Sequence, residues 1–419
     1  MEVAIVSDTH FGYKWDSERG EDPFDNAREA FERTVDADIV VLPGDLFDRK
    51  VPKQEVLGEA VDCFNLYRQG EKTVELSEDS DVEHDFHGTP VIAIHGTHER
   101  RSEGFTNPVE LLEKMDYLLH LHNEVAVFEK NGEKVAVHGM SGVPERYAPK
   151  VLEKFAPEPV EDAYNIFVFH QSVDKLVYTS PDHDSLSMED LPGGFDLLVD
   201  GHIHWFQHLE GDRELVLPGS TITTQMNKVE AEQPKGYVTI DTETGELEFN
   251  ELGSPRELFY EEIDVEGHSG PELLDKVQER MDELLQEELE KKPLVRLVLE
   301  GETSATVKKS ELKEKYSEDA IMSITLGSDR GEISGDAGGI QDSDSIAEMG
   351  MQVLKENVNS GFPIEDLFEL LEDGEIDGAV DLVEDMEVEE GRSEEAGKEE
   401  VDEEGKPGEE NVQKLTEFQ

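Results

Sequence analysis

Cysteine is almost absent from this chain of 419 residues: Cys63 stands alone. That excludes an intramolecular disulfide framework and any Cys-rich zinc site, and suits a reducing compartment. Cys63 lies in the helical pattern LGEAVDCFNLYRQG, where it is expected to fill core. Long apolar runs are missing as well. No uninterrupted stretch approaches the ~18 residues that span a membrane, and MEVAIVSDTHF enters an alternating strand without a basic or long apolar leader. The chain therefore reads as soluble and cytoplasmic, with no membrane partner. Positive charge is scarce too, with 37 Lys and Arg against 102 Asp and Glu, a formal net charge of -65. Taken alone, that deficit argues against nucleic acid, because affinity from neutralised phosphates needs Lys and Arg.

The acid is not confined to a tail but runs through segments with clear strand and helix periodicity, the pattern of a protein built for molar salt. There the Debye length shrinks to about 3 Å and a like-charged surface becomes tolerable. From 1 to about 250, apolar strands such as VAIVSD, DIVVLPGD, PVIAIHG, KVAVHGM, NIFVFHQ and FDLLVDGHIH alternate with amphipathic helical patterns. This alternation predicts an α/β domain with its site at the strand ends. Residues 70–89 read as a surface loop or hairpin insertion, with His84 and His87 exposed to solvent.

From 255 to 330 the order strand, helix, strand predicts a small separate α+β domain, its helix running from Pro271 to Lys291. Residues 331–345 are rich in Gly, Asp and Ser and read as a linker. In 346–385, apolar residues such as Ile364, Leu367, Phe368 and Leu371 fall at helical spacing but carry too little apolar surface for a core of their own, so they call for a partner. Residues 386–419 are charged low complexity and read as a disordered acidic tail.

Polar residues at the strand ends carry the chemistry: Asp8 and His10 in SDTH, Asp45 in PGDLFD, Thr97 and His98 in HGTHE, His170 in FVFHQ, and His202 and His204 in DGHIH. In D-x-H and H-x-H a period of two places both side chains on one face of an extended segment, so that each pair can reach one ion. Imidazole suits manganese, iron or zinc better than magnesium or calcium. Each piece alone is commonplace; their occurrence together, each after an apolar strand, predicts a two-metal phosphoester hydrolase. His95, inside a strand, and His120 and His122, between helix and strand, read as structural, and His138 stays ambiguous.

The ordered set D-x-H, G-D, G-T-H-E, H, G-H-x-H over residues 1 to about 225 resembles the calcineurin-like metallophosphoesterases. SDTHFGY, GDLFD, EVAVHGM, MEDLPGGFDLLVDGHIHWF and PGST followed by KGY are similar to one branch, the SbcD / Mre-eleven double-strand-break repair nucleases, here of halophilic archaeal type. The resemblance implies a four-layer α/β/β/α sandwich over 1–250, a small α+β capping domain with a DNA-binding role over 255–330, and C-terminal helices at 346–385 that dock on an SbcC / Rad-fifty type ATPase. It further implies two divalent ions, most readily manganese: one held by Asp8, His10 and His204, the other by His170 and His202, with Asp45 bridging. His98 would sit at the scissile phosphate, stabilising developing charge or protonating the leaving oxygen. Attack by water activated between the ions would release nucleotides from DNA ends, in a nucleoid-associated homodimer.

Thr97 departs from the family, which has asparagine at that position, and three readings stay open: direct ligation, ligation through water, or a weak second site that fills only with substrate. Asp48 and Arg100 are placed near the substrate, with a surface-turn role the alternative for Asp48. Lys and Arg clustered in HERR and LFDRK, together with the ions, offset the acidic surface. Two other functions compete: a phosphoesterase of another branch acting on small phosphoesters, and a scaffold with a weakened metal site.

Overall fold

Alternate residues of the N-terminal strands enter two different cores. Val3 and Ile5, Ile39 and Val41, and Ile92 and Ile94 pack with Phe128, Val137, Ile166, Val168, Leu197 and Val199 in one cluster. Their neighbours Ala4, Val6, Val40, Leu42, Val91 and Ala93 pack with Phe24, Phe31, Val56, Cys63, Phe64 and Leu112 in another. A period of two on strands buried on both faces dictates this division.

The computed structural model describes residues 1–102, 104–173, 186–286, 289–301 and 309–326. The linker at 331–345, the helices at 346–385 with Ile364, Leu367, Phe368 and Leu371, and the tail at 386–419 lie outside the described residues. The described residues belong to one compact unit.

The first sheet has six strands in the order Glu246–Glu251, Gly236–Asp241, Glu2–Ile5, Ile39–Leu42, Val91–Ala93 and Leu119–His120. Its last four strands are mutually parallel. The second sheet has seven, in the order Gln207–Leu209, Leu215–Leu217, Leu197–Asp200, Tyr164–Phe169, Glu133–Met140, Glu124–Lys130 and Glu75–Leu76. Its central four are parallel. Helix α1 (Asp22–Thr34) begins with Pro23 in its first turn, where the missing N–H costs nothing, and buries Phe24, Ala27, Ala30 and Phe31 as one stripe against the first sheet. On the far side, the helix Ala148–Phe155 sets Ala148 and Leu152 against Phe167, Phe169 and Leu198 of the second sheet. Helix, sheet, sheet, helix make four layers. Past the strand ends, Ser7 bridges to Ser220, tying the two sheets together at one rim.

The segment 70–89 is more integrated than a surface loop: Glu75–Leu76 pairs with Glu124–Lys130 as an edge strand, and Val74 and Phe86 enter the core between the sheets. His84 is half-buried because its ring packs on Phe86 at 4.5 Å, whereas His87 is exposed. His95 lies beyond the strand Val91–Ala93 and pairs with buried His120, Nδ1 to Nε2 at 3.0 Å. His138 is buried, its Nε2 3.2 Å from Asn165 Oδ1 and its ring edge-on to Phe195.

Beyond residue 253 the three strands Leu258–Asp264, Leu294–Glu300 and Ile321–Leu326 form a separate sheet, all parallel. Parallel neighbours need crossovers. The helices Gly270–Leu284 and Lys309–Lys315 supply them, with Leu273, Val277, Met281 and Leu312 in the shared core. The second helix and third strand extend the strand, helix, strand order read from sequence. The first helix ends at Leu284, short of Lys291, and Lys291 and Lys292 instead reach Asp25 at 3.0 Å and Glu18 at 2.9 Å on the sandwich.

Candidate metal centre

Five loops leave the parallel strands at the same rim and converge. Asp8 and His10 follow Glu2–Ile5, Asp45 follows Ile39–Leu42, Thr97 and His98 follow Val91–Ala93, His170 follows Tyr164–Phe169, and His202 and His204 follow Leu197–Asp200. The D-x-H segment is not extended. Asp8, His10 and Asp45 adopt left-handed backbone, with φ of 49°, 44° and 47°. Such values are uncommon outside glycine and collect at functional sites. The coil is held by His10 N–H to Asp45 O at 3.1 Å, Phe11 N–H to Leu46 O at 2.7 Å and Thr9 Oγ1 to Leu46 O at 3.0 Å. Asp8 and His10 thus meet through a coiled turn rather than on the flat face of an extended segment.

His202 and His204 also diverge rather than sharing one face. His204 Nε2 lies 3.3 Å from His10 Nε2 and 3.7 Å from Asp8 Oδ1. His202 turns toward His170, ring centres 5.3 Å apart, with its Nε2 3.1 Å from Ser172 Oγ. The bends at 201–204 rotate successive side chains out of one plane.

Asp45 sits at the junction. Its Oδ2 is 3.1 Å from His170 Nε2, 3.5 Å from Thr97 Oγ1 and 3.9 Å from His98 Nε2, while its Oδ1 accepts the His98 backbone N–H at 2.9 Å. Gly96 allows this approach, since a Cβ there would stand 2.1 Å from Asp45 Oδ1. His170 Nδ1 donates to Pro43 O at 2.9 Å, which leaves Nε2 facing Asp45. His98 is oriented likewise: Nδ1 meets Asp48 O at 3.2 Å, and its side chain is 46% exposed. Asp48 thus contributes its backbone carbonyl as well as Oδ1, which lies 3.8 Å from His10 Nδ1. Arg100 is half-buried and acts electrostatically on His95.

Three sets bring ligand atoms within 4.8 Å of one another among the described residues: Asp8, His10 and His204; His10, Asp45 and His98; and Asp8, Asp45 and His170. Burial, with His98 close by, drives His10 down to about 3, and burial together with His10 holds His204 well below the usual histidine range. Both rings are therefore neutral at physiological pH. Burial pushes the Asp8 carboxyl well above the usual range. For Asp45 the same burial is outweighed by His170 and His98, and the carboxyl stays well below; its partner His170, against its own burial, is raised to about 10. Among the described residues, buried Asp8 Oδ1 has no hydrogen-bond partner, while His170 Nε2 faces Asp45 Oδ2 at 3.1 Å. A cation would satisfy Asp8 Oδ1 and relieve the contact of the facing His10 and His204 nitrogens. The mixed imidazole and carboxylate donors fit manganese, iron or zinc.

Several neighbours have roles that the sequence did not assign. Glu99, fully buried, accepts Phe47 N–H and Gly96 N–H, each at 2.8 Å, and burial together with Asp45 pushes its carboxyl up to about 8. Buried Asp200 accepts His202 N–H at 3.1 Å and Gln171 N–H at 3.3 Å, and burial raises it to about 7. Thr224 Oγ1 meets His204 Nδ1 at 2.5 Å. Glu99 closes the motif G-T-H-E and Asp200 opens DGHIH, but membership of a motif gives neither its role.

Residues 1–206 match the family model described as calcineurin-like phosphoesterase. The chain is similar to proteins named double-strand break repair protein MRE11: 27% identical to one from Encephalitozoon cuniculi, over 64% of this chain and 50% of that one. It is 29% identical to one from Methanopyrus kandleri, over 64% and 60% of the two chains. A third, from Thermoplasma acidophilum, is 26% identical over 71% and 76%. The aligned part spans half to three-fifths of the first two relatives. The sandwich that gathers these side chains is the calcineurin-like metallophosphoesterase fold.

Proposed function

We propose that the chain is a metal-dependent phosphodiesterase, a DNA exonuclease and endonuclease that processes ends in double-strand-break repair. The observation that carries this reading is the facing of two neutral imidazoles, His10 Nε2 and His204 Nε2 at 3.3 Å, beside the unpartnered Asp8 Oδ1. The similarity to MRE11 proteins supports DNA as the substrate.

Asp8, His10 and His204 would hold one divalent ion, and His170 and His202 the other, with Asp45 between them. His202 Nε2 lies 3.1 Å from Ser172 Oγ and His202 belongs to none of the three gathered sets, so its part in holding the second ion rests on the resemblance. Two such ions, manganese by preference, lower the pKa of a water and offset charge on phosphoryl oxygens. Burial lowers the His98 pKa, but Asp45 and Asp48 outweigh it and raise the balance, so the half-exposed ring can carry the proton that a leaving oxygen requires. Thr97 Oγ1, at hydrogen-bonding range of Asp45, favours ligation through a water over direct ligation.

The partners we assign are DNA ends, an SbcC / Rad-fifty type ATPase docked through Ile364, Leu367, Phe368 and Leu371, and a second copy of this chain. The net charge of -65 supports a high-salt cytosol as its setting. Among the described residues no helix is long and apolar enough to cross a membrane.

Manganese-dependent cleavage of end-labelled duplex DNA in concentrated potassium chloride tests the reading. The wild type is expected to cut, His98→Ala to lose about 10²- to 10⁴-fold in rate, and Thr97→Asn to keep its activity. An inactive wild type with an active Thr97→Asn variant would mean a decayed second site and a scaffold. Hydrolysis of small phosphodiesters without cleavage of duplex would move the protein to another branch.

A further inference from the structure

His204 is clamped at both ends. Its backbone carbonyl accepts Lys235 Nζ at 2.8 Å and Ser220 N–H at 3.2 Å. Its ring Nδ1 meets Thr224 Oγ1 at 2.5 Å. The neighbouring Glu230 Oε1 is 3.8 Å from Nδ1 and is taken by Lys235 at 2.8 Å. With Nδ1–H donated to Thr224, the Nε2 lone pair points at Asp8 and His10, where an ion would sit.

Thr224 is itself held through its own segment. Tyr13 Oη donates to Thr224 O at 2.8 Å, Asn26 Nδ2 donates to Thr221 O at 2.9 Å, and Arg19 donates to Thr223 O. All of these donors are buried. Arg19 shares the buried Asp22 carboxylate with Arg256, which binds both its oxygens at 2.9 and 2.7 Å. Arg256 also donates to Glu18 O and Lys292 O, each at 2.9 Å, and so fastens the polypeptide that leads into the three-stranded sheet. A continuous series of contacts therefore runs from Arg256 through Asp22, Arg19 and the 221–224 backbone to Thr224 and His204.

We propose that Thr224 is the positioning residue that fixes His204 for its ion, and that Arg256 couples the part of the chain beyond residue 253 to that ion's affinity. The inference rests on the metal reading of the site. Its physical basis is that a group hydrogen-bonded to a ligating imidazole fixes its tautomer and orientation. A shift of Arg256 alters what holds Arg19, and with it the carbonyl next to Thr224.

Binding of manganese to the full chain in molar potassium chloride, followed by the electron paramagnetic resonance of the free ion, tests this. Thr224→Val is expected to weaken one ion about 10- to 100-fold, and Thr224→Ser, which keeps the hydroxyl, to bind as the wild type does. Arg256→Gln is expected to weaken the same ion roughly 2- to 30-fold, and the double variant Thr224→Val/Arg256→Gln to lose no more than Thr224→Val alone. Near-ultraviolet circular dichroism checks that each variant is folded; should Thr224→Val not fold, Thr224→Ala, which also lacks the hydroxyl, takes its place in every comparison. Wild-type affinity in Thr224→Val, or equal loss in Thr224→Ser, overturns the role of Thr224. Unchanged binding in Arg256→Gln, or strictly additive losses, overturns the coupling. A wild type that binds no manganese overturns the metal reading itself, an outcome distinct from either.

Discussion

Glu99 and Phe47 are 52 positions apart, yet the Glu99 carboxylate accepts the Phe47 backbone N–H at 2.8 Å and, through its other oxygen, that of Gly96 at 2.8 Å. One buried side chain thereby fixes the loop carrying Asp45 against the loop carrying Thr97 and His98. Glu99→Ala leaves both buried donors unpaired, at about 1–3 kcal/mol each. We expect urea unfolding to show a loss on the order of 3 kcal/mol, with Glu99→Gln, which keeps one acceptor, intermediate. A variant as stable as the wild type would mean that water replaces the carboxylate.

The ion pairs between the sandwich and the residues after 253 differ in burial, and so should differ in worth. Arg256 and Asp22 have side chains 11% and 4% exposed, Lys292 and Glu18 29% and 61%. Arg256→Gln removes charged hydrogen bonds to both Asp22 oxygens but leaves Asp22 its contact with Arg19, while exposed pairs contribute little. Arg256→Gln is expected to lower stability by about 2 kcal/mol and Lys292→Ala by less than about 1 kcal/mol. Equal losses in chemical denaturation would contradict this ranking.

Asp38 gives a pH dependence with a definite sign. Burial pushes its carboxyl up, but Lys130, Thr73 and the Glu2 N–H outweigh burial and hold it below the usual carboxylate value. With the folded value below the unfolded value of about 3.9, its stabilisation is present above about pH 4 and is lost as pH falls through the folded value. The wild-type advantage over Asp38→Asn should therefore hold at neutral pH and shrink in acid. An advantage that grows on acidification would reverse the assignment.

Cys63 supplies a reporter of unfolding. It is fully buried, and burial pushes its thiol up to about 12. Alkylation by iodoacetamide at pH 8 should be negligible in the native protein and rapid in denaturant, since the thiolate is the reactive form. Fast modification under native conditions would show that helix Gln54–Phe64 opens locally.

The sequence by itself determined an α/β domain with strands buried on both faces, because IVVL and YNIFVF are nearly continuous apolar runs; that two sheets stack between helices was decided by the tertiary structure. It also determined which residues stand at the strand ends, since Asp8, Asp45, His98, His170 and His204 each follow an apolar run. Tertiary structure decided how those residues meet. The left-handed backbone at Asp8, His10 and Asp45 is imposed by bonds between the 7–11 and 45–48 loops, and the opposite directions of His202 and His204 come from a bend. The residues that orient the imidazoles were illegible for the same reason. Thr224, Ser172 and the carbonyls of Pro43 and Asp48 act through distance and direction alone, and any chain offers many threonines, serines and carbonyls. A local pattern fixes what a residue type can do; the fold fixes which atom faces it, because hydrogen bonds and close approach operate between segments that the sequence keeps far apart.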